Sequence, residues 1–148
     1  MLIKNNFFYI KDIKNILFIG FHEKFYQLKK ICEKNKMEFS IITSSSQSRN
    51  IKKIKFKIFN KLDSNFRNYI KNNYDLNKTL FVSLGSRLIF KKKDLNNLFK
   101  NNLVNFHSTR LPFDSGGAST SWKIMKNDRI DNQLVHLVDQ GIDTGPIL

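Results

Sequence analysis

Asn15-Ile16-Leu17-Phe18-Ile19-Gly20 is a continuous apolar run closed by a glycine. A strand with one wet face alternates apolar and polar side chains, so an unbroken run marks a strand covered on both faces. The next apolar residues, Phe25, Leu28, Ile31 and Cys32, recur at helical spacing and predict a helix over 25–34. Glu38-Phe39-Ser40-Ile41-Ile42-Thr43 then reads as a second strand. Strand, helix and strand in immediate succession make a βαβ unit, whose crossover helix joins parallel strands.

The alternation continues along the chain. Residues 44–49 are a polar loop, 55–59 a short strand, and 65–72 a helix with Phe66, Tyr69 and Ile70 on one face. Thr79-Leu80-Phe81-Val82-Ser83-Leu84 is a second unbroken apolar run, closed by Gly85. A helix over 94–99 turns Leu95, Leu98 and Phe99 inward, and a strand over 103–107 follows. Beyond it come a loop over 108–117 with Pro112, Gly116 and Gly117, a helix over 119–126, a strand over 133–138 and a tight loop over 141–145. This order predicts an α/β fold, with a mostly parallel sheet and helices on both faces. Ligands in such sheets bind beyond the carboxyl ends of the strands. The loops at 85–90, 107–117 and 139–145 each follow a strand, so all three are expected at one edge.

Composition narrows the function. The chain has 148 residues, the length of one domain, and 41% hydrophobic with 13% aromatic content rules out a disordered segment. The formal net charge of +14 invites an anionic partner. However, the lysines are spread along the chain, including 52–57 and 91–93, and no RNP, helix-turn-helix or zinc-finger pattern organises them. Compositional drift toward Lys, Asn and Ile accounts for the charge equally simply. The single cysteine, Cys32, excludes an internal disulfide and a Cys-based metal site, and a buried, inert thiol is expected. No apolar run approaches the ~18 residues of a membrane span. The start of the chain is too short and too polar for a signal peptide. A cytoplasmic protein is expected, with no membrane partner.

Three familiar chemistries are missing. The sequence holds no phosphate-binding P-loop, no G-x-G-x-x-G after the first strand and no G-x-S-x-G nucleophile elbow. Asn105-Phe106-His107 closes a strand, so its amide and imidazole, two residues apart, point to the same side. Taken alone, a histidine at a strand end is more often structural than reactive. Asp139-Gln140-Gly141-Ile142-Asp143-Thr144-Gly145-Pro146 has the composition of a turn, and Gly116-Gly117 that of a surface loop.

Together these pieces are far more specific. Ser83-Leu84-Gly85 with Ile89-Phe90, then Asn105-Phe106-His107, Leu111-Pro112 with Gly116-Gly117, and Asp139-Gln140-Gly141-Ile142-Asp143-Thr144-Gly145 resemble, in order and spacing, the motifs of the formyltransferase N-terminal domain. That family includes methionyl-tRNA, glycinamide ribonucleotide and sugar N-formyltransferases. The resemblance implies a Rossmann-like catalytic domain over 13–148, preceded by an N-terminal extension over 1–12. It implies N10-formyltetrahydrofolate as co-substrate, a primary amine as acceptor, and no metal. Asn105, His107 and Asp143 match the family's catalytic asparagine, histidine and aspartate. Asn105 would stabilise the formyl oxygen, His107 would move the proton, and Asp143 would orient the ring. Gly85, Arg87, Leu88, Ile89 and Phe90 would wall the pterin on one side, and Asp139, Gly141 and Ile142 on the other.

The form Asn-Phe-His-Ser-Thr-Arg-Leu-Pro, then Gly116-Gly117 and Ser121-Trp122, resembles the sugar N-formyltransferases most, which implies a nucleotide-linked amino sugar as acceptor. Arg110, Gly116, Gly117 and Trp122 are the residues expected to meet it. A core position for Trp122 is the alternative. Methionyl-tRNA is the second acceptor reading, favoured by the charge, and water as acceptor is a third. Family domains continue past this length into further strands and, in the sugar enzymes, dimer contacts. The chain is therefore expected to be truncated at its C-terminus, which leaves an inactive fragment or a binding module as the non-enzymatic alternative.

Overall fold

The computed structural model describes residues 12–117, 119–130 and 132–148. Apart from Asp12, the expected N-terminal extension lies outside the described residues. The elements in chain order are β1 (Asn15–Gly20), α1 (Phe25–Lys34), β2 (Glu38–Thr43), α2 (Ser45–Ser48), β3 (Lys57–Ile58), α3 (Ser64–Asn73), β4 (Thr79–Leu84), α4 (Lys92–Asn97), β5 (Leu103–His107), α5 (Ser119–Met125) and β6 (Leu134–Leu137). They build one 6-stranded sheet in the order β3-β2-β1-β4-β5-β6. All pairings are parallel except β5–β6.

The unbroken apolar runs take the central strands, as their pattern requires. Leu17 and Ile19 of β1, Ile42 of β2, Phe81 of β4 and Leu103 of β5 pack against Phe66 and Ile70 of α3 and Leu95 of α4. The alternate residues, Phe18, Ile41, Val82, Val104 and Leu137, face the other way, with Phe25 and Leu28 of α1. Here Phe18, Phe25 and Phe39 form an aromatic cluster with centroids 5.2–6.2 Å apart. Helices thus lie on both faces. On the second face α1 contributes the Phe25 ring beside Phe18 and Phe39 of β1 and β2, while Phe106 of β5 is 49% exposed.

Local chemistry sets several element boundaries. The Asp63 side chain accepts from the Phe66 N–H at 3.0 Å and caps α3, a bond worth ~1 kcal/mol. Residues 45–48 form a single helical turn in what reads as a polar loop, with Ser45 N–H donating to Asn60 Oδ1 at 2.9 Å. Asp94 lies inside α4 rather than at its start, since the Lys91 carbonyl already accepts from Leu95 N–H at 3.0 Å, and its buried carboxylate accepts from Arg67 on α3, with the closer contact at 2.7 Å. The strand expected over 55–59 shrinks to Lys57 and Ile58, because only those residues pair with β2. Cys32 is buried, and burial and then the Glu33 carboxylate push its thiol up. Ile31 beside it is exposed, so the apolar face of α1 runs through Phe25 and Cys32. No helix among the described residues is long and apolar enough to cross a membrane.

Candidate active site

Beyond the ends of β1, β4 and β5 lies a cleft of about 1030 Å³. Gly85 ends β4 at φ 61°, and a Cβ there would stand 2.8 Å from the Phe21 carbonyl oxygen. Only glycine lets the loop after β4 press so closely on the one after β1. That loop forms one wall of the cleft, with Arg87, Leu88, Ile89 and Phe90. Leu88 and Phe90 are anchored in the core, whereas Ile89 is 84% exposed. A short helical turn braces the wall from behind. Gln47 Nε2 donates to the Gly85 carbonyl at 2.8 Å, and Arg87 donates to Ser46 Oγ at 3.2 Å.

Asn105 and His107 line the cleft from the end of β5, on one face as alternate residues of a strand. The third loop arrives by an unexpected route. Because β6 is antiparallel, its end lies beside the start of β5, where Val138 N–H donates to the Leu103 carbonyl at 2.9 Å. The loop still gathers with the other two, as expected, but not because it follows a parallel strand. The loop instead folds back over β6, and Gly145 permits this, since any Cβ there would collide with the Leu137 carbonyl oxygen. Asp139, Gly141, Ile142 and Asp143 reach the cleft in this way. Asp143 takes the left-handed conformation at φ 56°, unusual outside glycine and tolerated best by Asn and Asp.

Asp143 is the hub of the site. Its Oδ1 lies 3.6 Å from His107 Nδ1 and 3.6 Å from His136 Nε2. Its Oδ2 accepts from the Gly116 N–H at 2.8 Å, which ties the 108–117 loop to the centre. His107 Nε2 is buried and has no hydrogen-bond partner among the described residues.

His136 is the residue that sequence reasoning missed. It is 2% exposed on β6, paired directly with Asn105 on the same face of the sheet. Its Nδ1 lies 2.8 Å from the Leu137 carbonyl, which can only accept, so Nδ1 carries a proton. In the neutral ring Nε2 then accepts from the Asn105 amide at 3.1 Å. The available signal was a lone imidazole in the apolar run Leu134-Val135-His136-Leu137.

Two of the residues expected to meet the acceptor are displaced. Gly116 and Gly117 line the cleft, but Arg110 and Trp122 do not. Arg110 is held by Asp114, at 3.1 Å, and by Asp128. Hydrogen bonding to Asp114 first, and then the charge of Asp128, raises the guanidinium pKa. Its charge is therefore already compensated, inside the loop rather than toward a ligand. Trp122 sits on α5 at 57% exposure, outside the cleft lining, which rules out the alternative core position. Arg110→Gln should make the 108–117 loop several-fold more sensitive to limited proteolysis, with the affinity for a folate ligand unaltered. Unchanged cleavage together with a raised acceptor KM would instead put Arg110 on the acceptor.

No family model matches the chain. Over 81 residues it is 31% identical to the methionyl-tRNA formyltransferase of Thermodesulfovibrio yellowstonii, a stretch that makes up 55% of this chain and 26% of that protein. In fold it is similar to phosphoribosylglycinamide formyltransferase from Anaplasma phagocytophilum, at TM-score 0.72 and 17% identity, over 93% of this chain and 70% of that one. In sequence and in fold, then, the chain is similar to formyltransferases. The same fold relates the chain to a sugar N-formyltransferase candidate from Mycobacterium tuberculosis, at TM-score 0.62 and 16% identity, over 91% of this chain and 52% of that one. Within the domain, the amide, imidazole and carboxylate named from the sequence meet at one place, and His136 joins them.

Proposed function

We propose that this chain transfers a formyl group from N10-formyltetrahydrofolate to a primary amine, with Asn105, His107 and Asp143 as its reacting groups. The observation that carries this reading is their convergence on one cleft, walled by the 85–90 loop and by Asp139, Gly141 and Ile142. In the reaction the amine lone pair attacks the formyl carbon, the bond from that carbon to N10 breaks, and a proton passes from the amine to N10. Negative charge gathers on the formyl oxygen in between. One N–H of Asn105 is engaged by His136, which fixes the amide plane and leaves the second N–H for that oxygen. Such a donor is worth ~3 kcal/mol in comparable oxyanion sites. The His107 ring would carry the proton, and its Nε2 has no hydrogen-bond partner among the described residues to hold it back. Asp143 would stabilise the imidazolium while that proton is in transit, and its 3.6 Å contact would tighten when substrate expels water.

The acceptor we favour is the amino group of a nucleotide-linked sugar, read from Asn105 through Pro112 and from Gly116-Gly117. With Arg110 and Trp122 outside the cleft, Gly116 and Gly117 carry the acceptor contact through their backbone. Methionyl-tRNA is the second reading, supported by the curated relative and by the net charge of +14. A cytoplasmic location fits both. Tetrahydrofolate release by the purified chain, measured with a panel of nucleotide-linked amino sugars and with charged initiator tRNA, distinguishes them. Turnover with a sugar and no salt-dependent tRNA binding is the expected result. A folded protein that binds the folate yet turns over neither acceptor would overturn the reading.

A further inference from the structure

We infer that His107, His136 and Asp143 form a binding site for a divalent transition-metal ion of the zinc class. The inference goes beyond the formyl transfer proposed above, which needs no metal at these residues, and treats the ion as a competing ligand of the same pocket. One ligand atom from each residue lies within 4.8 Å of the others. The two contacts to Asp143 Oδ1, both 3.6 Å, are too long for hydrogen bonds. They are close to the spacing of about 3.4 Å that bonds of 2.0–2.1 Å subtend across a tetrahedral zinc ion.

The surroundings are those that a metal ligand requires. His136 points its Nδ1–H at the Leu137 carbonyl, which leaves the Nε2 lone pair as the ring's donor to a cation once the Asn105 amide yields it, and Nε2 lies 3.6 Å from the carboxylate. A ligating histidine is oriented by such a bond from its other nitrogen. Asp143 is held through its second oxygen by the Gly116 N–H, and its Oδ1 accepts no hydrogen bond among the described residues. A set of two imidazole nitrogens and one carboxylate oxygen selects zinc, cobalt, nickel or copper over magnesium and calcium. The cleft leaves the fourth position to water. Binding would displace the 3.1 Å hydrogen bond from the Asn105 amide to His136. The ion and an aligned Asn105 therefore exclude one another.

The test is titration of the full chain with Co²⁺ and then Zn²⁺, read by the visible bands of tetrahedral cobalt and by calorimetry. One ion per chain is expected, with Zn²⁺ displacing Co²⁺ and raising the thermal midpoint. Asp143→Asn and His136→Gln should each weaken binding by at least about 10-fold. His22→Ala, which removes the remaining histidine, should leave it unchanged. Circular dichroism checks that each variant folds. If His136→Gln does not, the near-isosteric Asp143→Asn decides. Absence of saturable binding in the folded chain, or equal binding in the Asp143→Asn variant, would overturn the inference. Activity is not read in this experiment, so its failure leaves formyl transfer standing.

Discussion

Alanine at His107 is expected to lower formyl transfer by about 10²–10⁴-fold in kcat, with little change in the affinity for the folate. On the proposed mechanism the ring acts on the reacting groups and is not part of the walls proposed for the pterin, so its loss falls on the transition state rather than on binding. Asn105→Ala should cost about 10²–10³-fold in rate, the usual loss for one oxyanion donor. It should also destabilise the fold by ~1–3 kcal/mol, because it strands the acceptor Nε2 of the buried His136. His107→Ala carries no such penalty, so the two variants differ in stability as well as in rate. The rate losses should not add in the double variant, since both groups act on the same transition state. Single-turnover kinetics with formyl-folate, alongside urea unfolding, measure both quantities. Equal kcat in wild type and His107→Ala would remove the imidazole from the chemistry altogether.

Phe99→Ala is expected to cost about 3–5 kcal/mol of folding free energy, a large share of the ~5–15 kcal/mol a domain possesses. Phe99 is fully buried and is the ring on which the others converge. Phe81 meets it edge-on at 5.0 Å, Phe90 at 5.4 Å, and Phe66 lies at 6.5 Å. These rings come from the central strand, from the 85–90 loop and from α3. The cavity therefore opens where the sheet, its covering helix and one cleft wall meet. Chemical denaturation should show a lower midpoint with an unchanged slope. Because Phe90 anchors the wall proposed to hold the folate, the folate dissociation constant should rise even below the melting range. A variant that lost stability but kept folate affinity would mean that the wall is held by its other brace, the Gln47 bond to Gly85.

The parts of the molecule that were legible in advance are those written as local periodicity. The runs at 15–20 and 79–84 announced strands buried on both faces, and they sit at the centre of the sheet. Phe66 and Ile70, four residues apart, announced the buried face of α3. The unit of information in each case is one element, and burial imposes its period on that element alone. Asn105 and His107 were readable for the same reason, since a two-residue spacing on a strand already fixes which side both face.

The direction of β6, the fold-back of the 139–145 loop, the entry of His136 into the site and the spending of Arg110 on Asp114 and Asp128 have no such local signature. An imidazole in an apolar strand reads the same whether its neighbour across the sheet is a valine or Asn105. A guanidinium reads the same whether its counter-charge is a ligand or Asp128. The sequence by itself determined which segments must be covered and which side chains share a face. Only the tertiary structure decided which distant groups meet, because strand direction and charge pairing are set by contacts between residues far apart along the chain, where no period links them.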